Sequence, residues 1–158
     1  SMDYTPVTFT NSQYPHVTSY GHELALSVLF ESALQHMADR PEGYDQLADA
    51  PKTFLKEVPN AWDDTRFLSG YPGREVTLAR RKGEEWYIGG INAELKEKQQ
   101  SIRFDFLPEG TQYKLTLITD GNHDKELMSQ YLMVDKNSTV NVTLLRRGGF
   151  AGSLKPIR

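Results

Sequence analysis

The 158-residue chain contains no cysteine, which excludes disulfides, thiolate metal sites and cysteine nucleophiles together. That absence leaves the compartment open, because a periplasmic protein and a cytosolic one can both do without cysteine. No apolar run approaches the ~20 residues a membrane-spanning helix needs. A basic excess is missing too. With 18 Lys and Arg against 21 Asp and Glu, the net charge is −3, so no positive field attracts nucleic acid or an anionic membrane. The N-terminus lacks a basic segment followed by an apolar one and does not read as a signal peptide. Ser1-Met2 reads as a trimmed start, and the chain as a piece of a longer protein.

What is present changes its hydrophobic period midway. Residues 1–20 are rich in Thr, Ser, Tyr and Pro and read as loop. From Gly21 to Arg40 the apolar residues Leu24, Val28, Leu29, Ala33, Leu34 and Met37 recur at helical steps. Ala25, Leu26, Phe30 and Ala38 fill other positions, so this helix is apolar nearly all round and needs burial on most sides. A strand-based remainder offers little to surround it, so the helix is expected to pack on a partner outside this chain. Pro41-Glu42-Gly43 is expected to end it, with short helical turns over Tyr44–Ala50 and Pro51–Val58.

After Pro59-Asn60 the alternation has period two. Arg74–Arg80 and Trp86–Ile91 form a hairpin turning at Lys82-Gly83, with Val76 and Leu78 on one face and Glu75, Thr77 and Ala79 on the other. Further strands are predicted over Ser101–Phe106, Gln112–Ile118, Gln130–Asp135, Thr139–Leu145 and Phe150–Pro156. Ile102, Phe104 and Phe106 share a face, as do Tyr113, Leu115 and Leu117, while Val140, Val142 and Leu144 point inward. Seven or eight short antiparallel strands of this kind predict a β-sandwich. The run Glu94–Gln100 reads as a solvated loop.

Few residues are arranged for chemistry. His22-Glu23 has Leu26 where a zincin helix needs its second histidine, and His36 is several turns away. Asp63 and Asp64 are adjacent on an extended chain and point apart, whereas two carboxyls acting on a glycoside must face one bond across ~5–9.5 Å. They read as caps of a turn entering the first strand. Asp120-Gly121-Asn122-His123-Asp124 resembles a calcium loop but lacks its twelfth-position carboxylate, which favours a turn between strands. Trp62, Trp86, Tyr87 and Tyr113 are candidates for a sugar-stacking platform, yet Trp86 and Tyr87 must point to opposite faces, so at most one belongs to the core. No catalytic or metal-binding set emerges from the residues themselves.

Several segments in order, Met2-Asp3-Tyr4-Thr5-Pro6, His22-Glu23-Leu24-Ala25-Leu26, Ala38-Asp39-Arg40-Pro41, Trp62-Asp63-Asp64-Thr65, Ala79-Arg80-Arg81-Lys82-Gly83 and Trp86-Tyr87-Ile88-Gly89-Gly90, resemble the C-terminal part of glycoside hydrolase family 97. Gln is more usual in that family where Glu23 stands. The resemblance implies that residues 1–58 are the tail of a catalytic (β/α)8 barrel and residues 59–158 the C-terminal sandwich. It further implies a bacterial exo-acting α-glucosidase or α-galactosidase as parent, periplasmic or outer-membrane-associated, using calcium at barrel carboxylates that precede Met2. None of those carboxylates falls in this chain, so inversion and retention stay undecided. Asp3 and Tyr4, following a presumed strand end, are the candidates for substrate-facing positions in the parent. The chain itself is then expected to be non-catalytic and free of cofactor, with the missing barrel as its partner and an oligosaccharide as the parent's substrate. The alternative is a carbohydrate-binding sandwich with its own site. Without its barrel the chain is expected to self-associate through residues 21–40, each stranded Leu, Val or Phe being worth ~1.5–3 kcal/mol when buried.

Overall fold

The computed structural model describes residues 7–10, 15–32 and 34–158. Among the described residues, three short helices precede eight strands. The helices are α1 (Tyr20–Leu29), α2 (Pro41–Asp45) and α3 (Asp49–Glu57). The strands are β1 (Asp64–Tyr71), β2 (Glu75–Lys82), β3 (Glu85–Asn92), β4 (Lys98–Arg103), β5 (Tyr113–Asp120), β6 (Leu127–Val134), β7 (Thr139–Leu144) and β8 (Gly149–Pro156). Six form one antiparallel sheet in the order β1-β2-β3-β8-β5-β6, and β4 pairs with β7 in a second. The fold is the expected antiparallel sandwich preceded by a helical segment.

Period-two alternation sorts the side chains of the large sheet between two cores. Trp86, Ile88, Leu115, Leu117, Phe150 and Leu154 face the small sheet, meeting Ile102, Phe104, Val142 and Leu144. Tyr87, Ile118 and Ala151 point the other way, into a cluster with Val7, Phe9, Leu24, Val28, Leu47 and Phe54. The inward sets read from β5 and β7 are as expected, and Phe104 and Phe106 join the core although β4 ends at Arg103.

The second core corrects the expectation for the first helix. Leu24, Ala25 and Val28 are fully buried, and α1 lies on β3 and β8. Its surroundings come from this chain, because the large sheet offers a second apolar face that the count of strands did not reveal. The helix is also shorter than its apolar period. Its last carbonyls are taken by side chains, Leu29 O by Arg80 Nη2 at 3.1 Å and Ser27 O by Gln35 Nε2 at 3.4 Å. The backbone turns extended at Phe30, which leaves Phe30, Leu34 and Met37 exposed beyond the helix. Pro41 opens α2 instead of closing a helix, since a missing N–H costs nothing in a first turn.

Other departures have equally local causes. In β2 the buried face carries Thr77 and Ala79, while Val76 and Leu78 are half-covered at the margin of the helical layer. β1 went unlocated in the sequence because it is an edge strand with no buried residue and a bulge between Phe67 and Ser69, so it shows no alternation. Trp86 and Tyr87 do point to opposite faces, but both are buried, at 4% and 1% exposure. Each face of the sheet has its own cover.

Candidate functional site

The residues that join the helices to the sandwich form a connected polar cluster. At the N-terminus of α1, Ser19 Oγ accepts from His22 N at 3.1 Å and donates to Asp120 Oδ2 at 2.6 Å. Asp120, at the end of β5, also accepts from Gly21 N at 2.8 Å and Gly149 N at 3.1 Å. A buried carboxylate thus sits where the helix presents free N–H groups and positive dipole. Burial is the larger influence and pushes the Asp120 carboxyl up, against the lowering effect of these three donors. At the opposite end of α1, the buried Arg80 of β2 binds Leu29 O and pairs with Glu31 at 3.5 Å. The sheet therefore holds the helix by an acid at its positive end and a base at its negative end. Close backbone approach completes the seat. A Cβ on Gly149 would lie 2.6 Å from His22 Cα, and one on Gly21 would clash with Gly149 O.

A polar groove of about 540 Å³ opens beside this seat, lined in part by Thr8, Thr10, His16, Glu23, Asp39 and Arg40. Asp39 organises it, accepting from Thr10 Oγ1 at 2.6 Å and from the backbone N–H groups of Phe9, Thr10 and Arg40. Burial would raise this carboxyl, but the four hydrogen bonds prevail and hold it below its usual range. Thr8 Oγ1 lies 3.0 Å from His16 Nε2. Asp3 and Tyr4, the expected substrate-facing pair, fall outside the described residues.

The other candidates are occupied locally. Asp63 Oδ2 accepts from Gly83 N in the β2–β3 turn at 2.8 Å, and this bond chiefly lowers its pKa. Asp64 serves Thr65 N and Arg66 Nε. Residues 120–126 make the β5–β6 turn, closed by Glu126 on Gly121 N and Asn122 N. The four aromatics form no platform. Trp86 packs at a tilt against Phe106 with ring centres 4.9 Å apart in one core, while Trp62 meets Tyr87 edge-on at 5.5 Å in the other. Tyr113 is buried with Trp86. His22 is in α1 and its pKa is lowered, mainly by burial; His36 lies outside any helix and is exposed. Among the described residues, no three His, Asp or Glu side chains converge to hold a metal.

The sequence did not mark Asp120, Arg80 or Asp39 as partners of the helical segment, because their contacts span up to about a hundred residues. Ser19 did carry a signal, being a good N-cap type just ahead of the apolar period.

The fold defines a two-sheet antiparallel sandwich with a helical layer clasped to its outer face. Residues 61–155 match the family model described as "Glycosyl-hydrolase 97 C-terminal, oligomerisation". The chain belongs to glycosyl-hydrolase family 97, in its C-terminal part. It is 40% identical over 152 residues to a probable retaining alpha-galactosidase of Streptomyces bingchenggensis, covering 96% of this chain and 23% of the relative. With the retaining alpha-galactosidase of Bacteroides thetaiotaomicron the identity is 30%, over 98% of this chain and 25% of the relative. The chain thus spans about a quarter of the length of these curated relatives. Among solved structures, a family 97 enzyme of Pseudoalteromonas sp. strain K8 in complex with acarbose superposes with a TM-score of 0.83 at 28% identity, over 89% of this chain and 23% of that one.

Proposed function

We propose that this chain is the non-catalytic C-terminal part of an exo-acting α-glycosidase, an α-galactosidase or α-glucosidase, whose sandwich supports a preceding catalytic barrel. The observation that carries the reading is the two-ended clasp on α1. It fixes α1 to the sheet through buried charges, so the helical layer and the sandwich are held together as one support. The names of the two curated relatives favour α-galactosidase chemistry with retention. In that parent, residues 1–58 supply the last barrel loop and helix, Asp3 and Tyr4 face the oligosaccharide, and calcium belongs to barrel carboxylates outside this chain. A periplasmic or outer-membrane-associated location goes with the same reading. Its sandwich also carries contacts between copies, in keeping with the description of the family model.

The test compares this chain with its longer parent on aryl α-galactosides and α-glucosides. The parent is expected to turn over and this chain is not. Turnover by this chain above buffer, lost on changing Asp63 or Asp64, would overturn the non-catalytic assignment.

The alternative of a sugar site on the sandwich finds no support in Trp62, Trp86, Tyr87 or Tyr113, since all four rings are engaged in the two cores.

A further inference from the structure

Among the described residues, the large sheet ends in two open edges of equal length and opposite character. β1 carries Asp64 and Arg66, a glycine at position 70 and a bulge between Phe67 and Ser69. Charges and bulges of this kind are what prevent an edge from pairing with another strand. β6 has none of them. Its eight residues, Leu127–Val134, include no charge, no proline and no glycine. Its register with β5 is unbroken from Leu127↔Asp120 to Val134↔Tyr113. Met128, Tyr131 and Met133 are 47%, 62% and 59% exposed. Among the described residues, β6 takes ladder hydrogen bonds from β5 alone, so its outer row of N–H and C=O groups stands unpaired.

We propose that β6 pairs antiparallel with β6 of a second copy of this chain, joining two six-stranded sheets into one of twelve strands. The proposal rests on the reading that the sandwich mediates contacts between copies, and it moves that contact from residues 21–40 to the edge at β6. The family description attaches oligomerisation to residues 61–155, a span that contains β6 and excludes α1. α1 has no exposed residue to offer, while β6 has five. A two-fold axis normal to the sheet makes the contact self-complementary and closed. It keeps both helical layers on one side, so that Tyr131 and Met133 of the two copies meet there and Met128 meets its counterparts on the other. Strand pairing alone is small beside the ~800 Å² per partner of a stable dimer, so these side chains must add most of the buried area.

Light scattering across a concentration series, with a Tyr131→Lys and Met133→Lys double variant, tests this. A Phe67→Lys and Tyr71→Lys variant at the opposite edge serves as control, and circular dichroism verifies that each variant folds. The expected mass is twice 18.0 kDa for the native chain and the control, and a single chain for the β6 variant. Amide exchange provides an independent readout, with the outward N–H groups of β6 slowed in the dimer and fast after dilution. A doubled mass that survives the β6 lysines overturns this surface while leaving self-association intact. A single-chain mass at every concentration overturns both. β6 amides that are fast in this chain but slow in a monomeric parent assign the edge to the barrel, and likewise overturn the proposal.

Discussion

Replacing Asp120 by alanine should detach the helical layer from the sandwich before either part unfolds. The carboxylate accepts from Ser19 Oγ, Gly21 N and Gly149 N and is 7% exposed, so its loss removes the acceptor these buried donors share. Hydrogen bonds to a charged acceptor are worth about 1.5–3 kcal/mol each. They share one acceptor group, and burial opposes its charge, so the sum overstates the effect. Removing the carboxylate leaves three neutral buried donors without their acceptor, at about 1–3 kcal/mol each, and the low end of that range gives a loss of about 3–5 kcal/mol. For a domain of this size that lowers the Tm by about 6–20 °C. Thermal melts followed by circular dichroism give the total, and native-state amide exchange shows whether α1 opens first. A loss under about 1 kcal/mol, or α1 amides exchanging no faster than those of β3, would show that the helix is held by apolar burial alone. Asp120→Asn adds a pH arm. The folded carboxyl is raised above its unfolded value, so its protonation stabilises the fold fully below the unfolded pKa of ~3.9. That contribution is lost as pH rises through the folded pKa. The margin of the native chain over Asp120→Asn should therefore be larger near pH 4 than near pH 7.

His22 shifts the other way: its pKa is lowered by burial from 6.5, so the stability it lends is present above ~6.5 and is lost as pH falls through its folded pKa. A His22→Gln variant should flatten the stability profile over that window, and parallel profiles would refute the assignment. Gly149→Ala places a Cβ 2.6 Å from His22 Cα and should cost about 1–3 kcal/mol by overpacking, read from the denaturant midpoint; a neutral result would mean the seat of α1 is pliable. Arg80→Met keeps the buried stem but frees Leu29 O and Glu31, for about 1–3 kcal/mol, with α1 amides near its C-terminus exchanging faster. Calorimetric titration with maltose or raffinose should show no binding, and a micromolar affinity abolished at Trp62 would reinstate the sugar-binding reading.

The hairpin β2–β3 and the inward sets of β5 and β7 were legible in the sequence because each shows clean alternation between turn signals. The helical segment was legible in kind but misjudged in extent and surroundings. Ala33, Leu34 and Met37 continue the helical period on paper, yet the helix stops where Arg80 and Gln35 take its last carbonyls. Periodicity records which side chains are apolar and carries no information about a guanidinium arriving from a strand fifty residues later. The clasp was hidden for the same reason, since Ser19 and Asp120 meet only after the sheet has formed. Tyr87 was assignable to a face but not to a core, because burial there depends on α3 and Trp62 closing over it.

The large sheet acts as a partition, and its central strands belong to two compartments at once. Tyr87 and Ile88 are consecutive in the chain, yet one neighbours Phe54 and Trp62 and the other neighbours the small-sheet core. Mutational coupling should follow compartment and ignore adjacency. Substitutions at Tyr87 and Phe54, thirty-odd positions apart, should depart from additivity, whereas those at Tyr87 and Ile88 should come nearer to summing. A lineage can then reshape the helical face of this domain to suit a changing neighbour while the sandwich interior drifts on its own schedule, with odd and even positions of a single strand keeping separate histories.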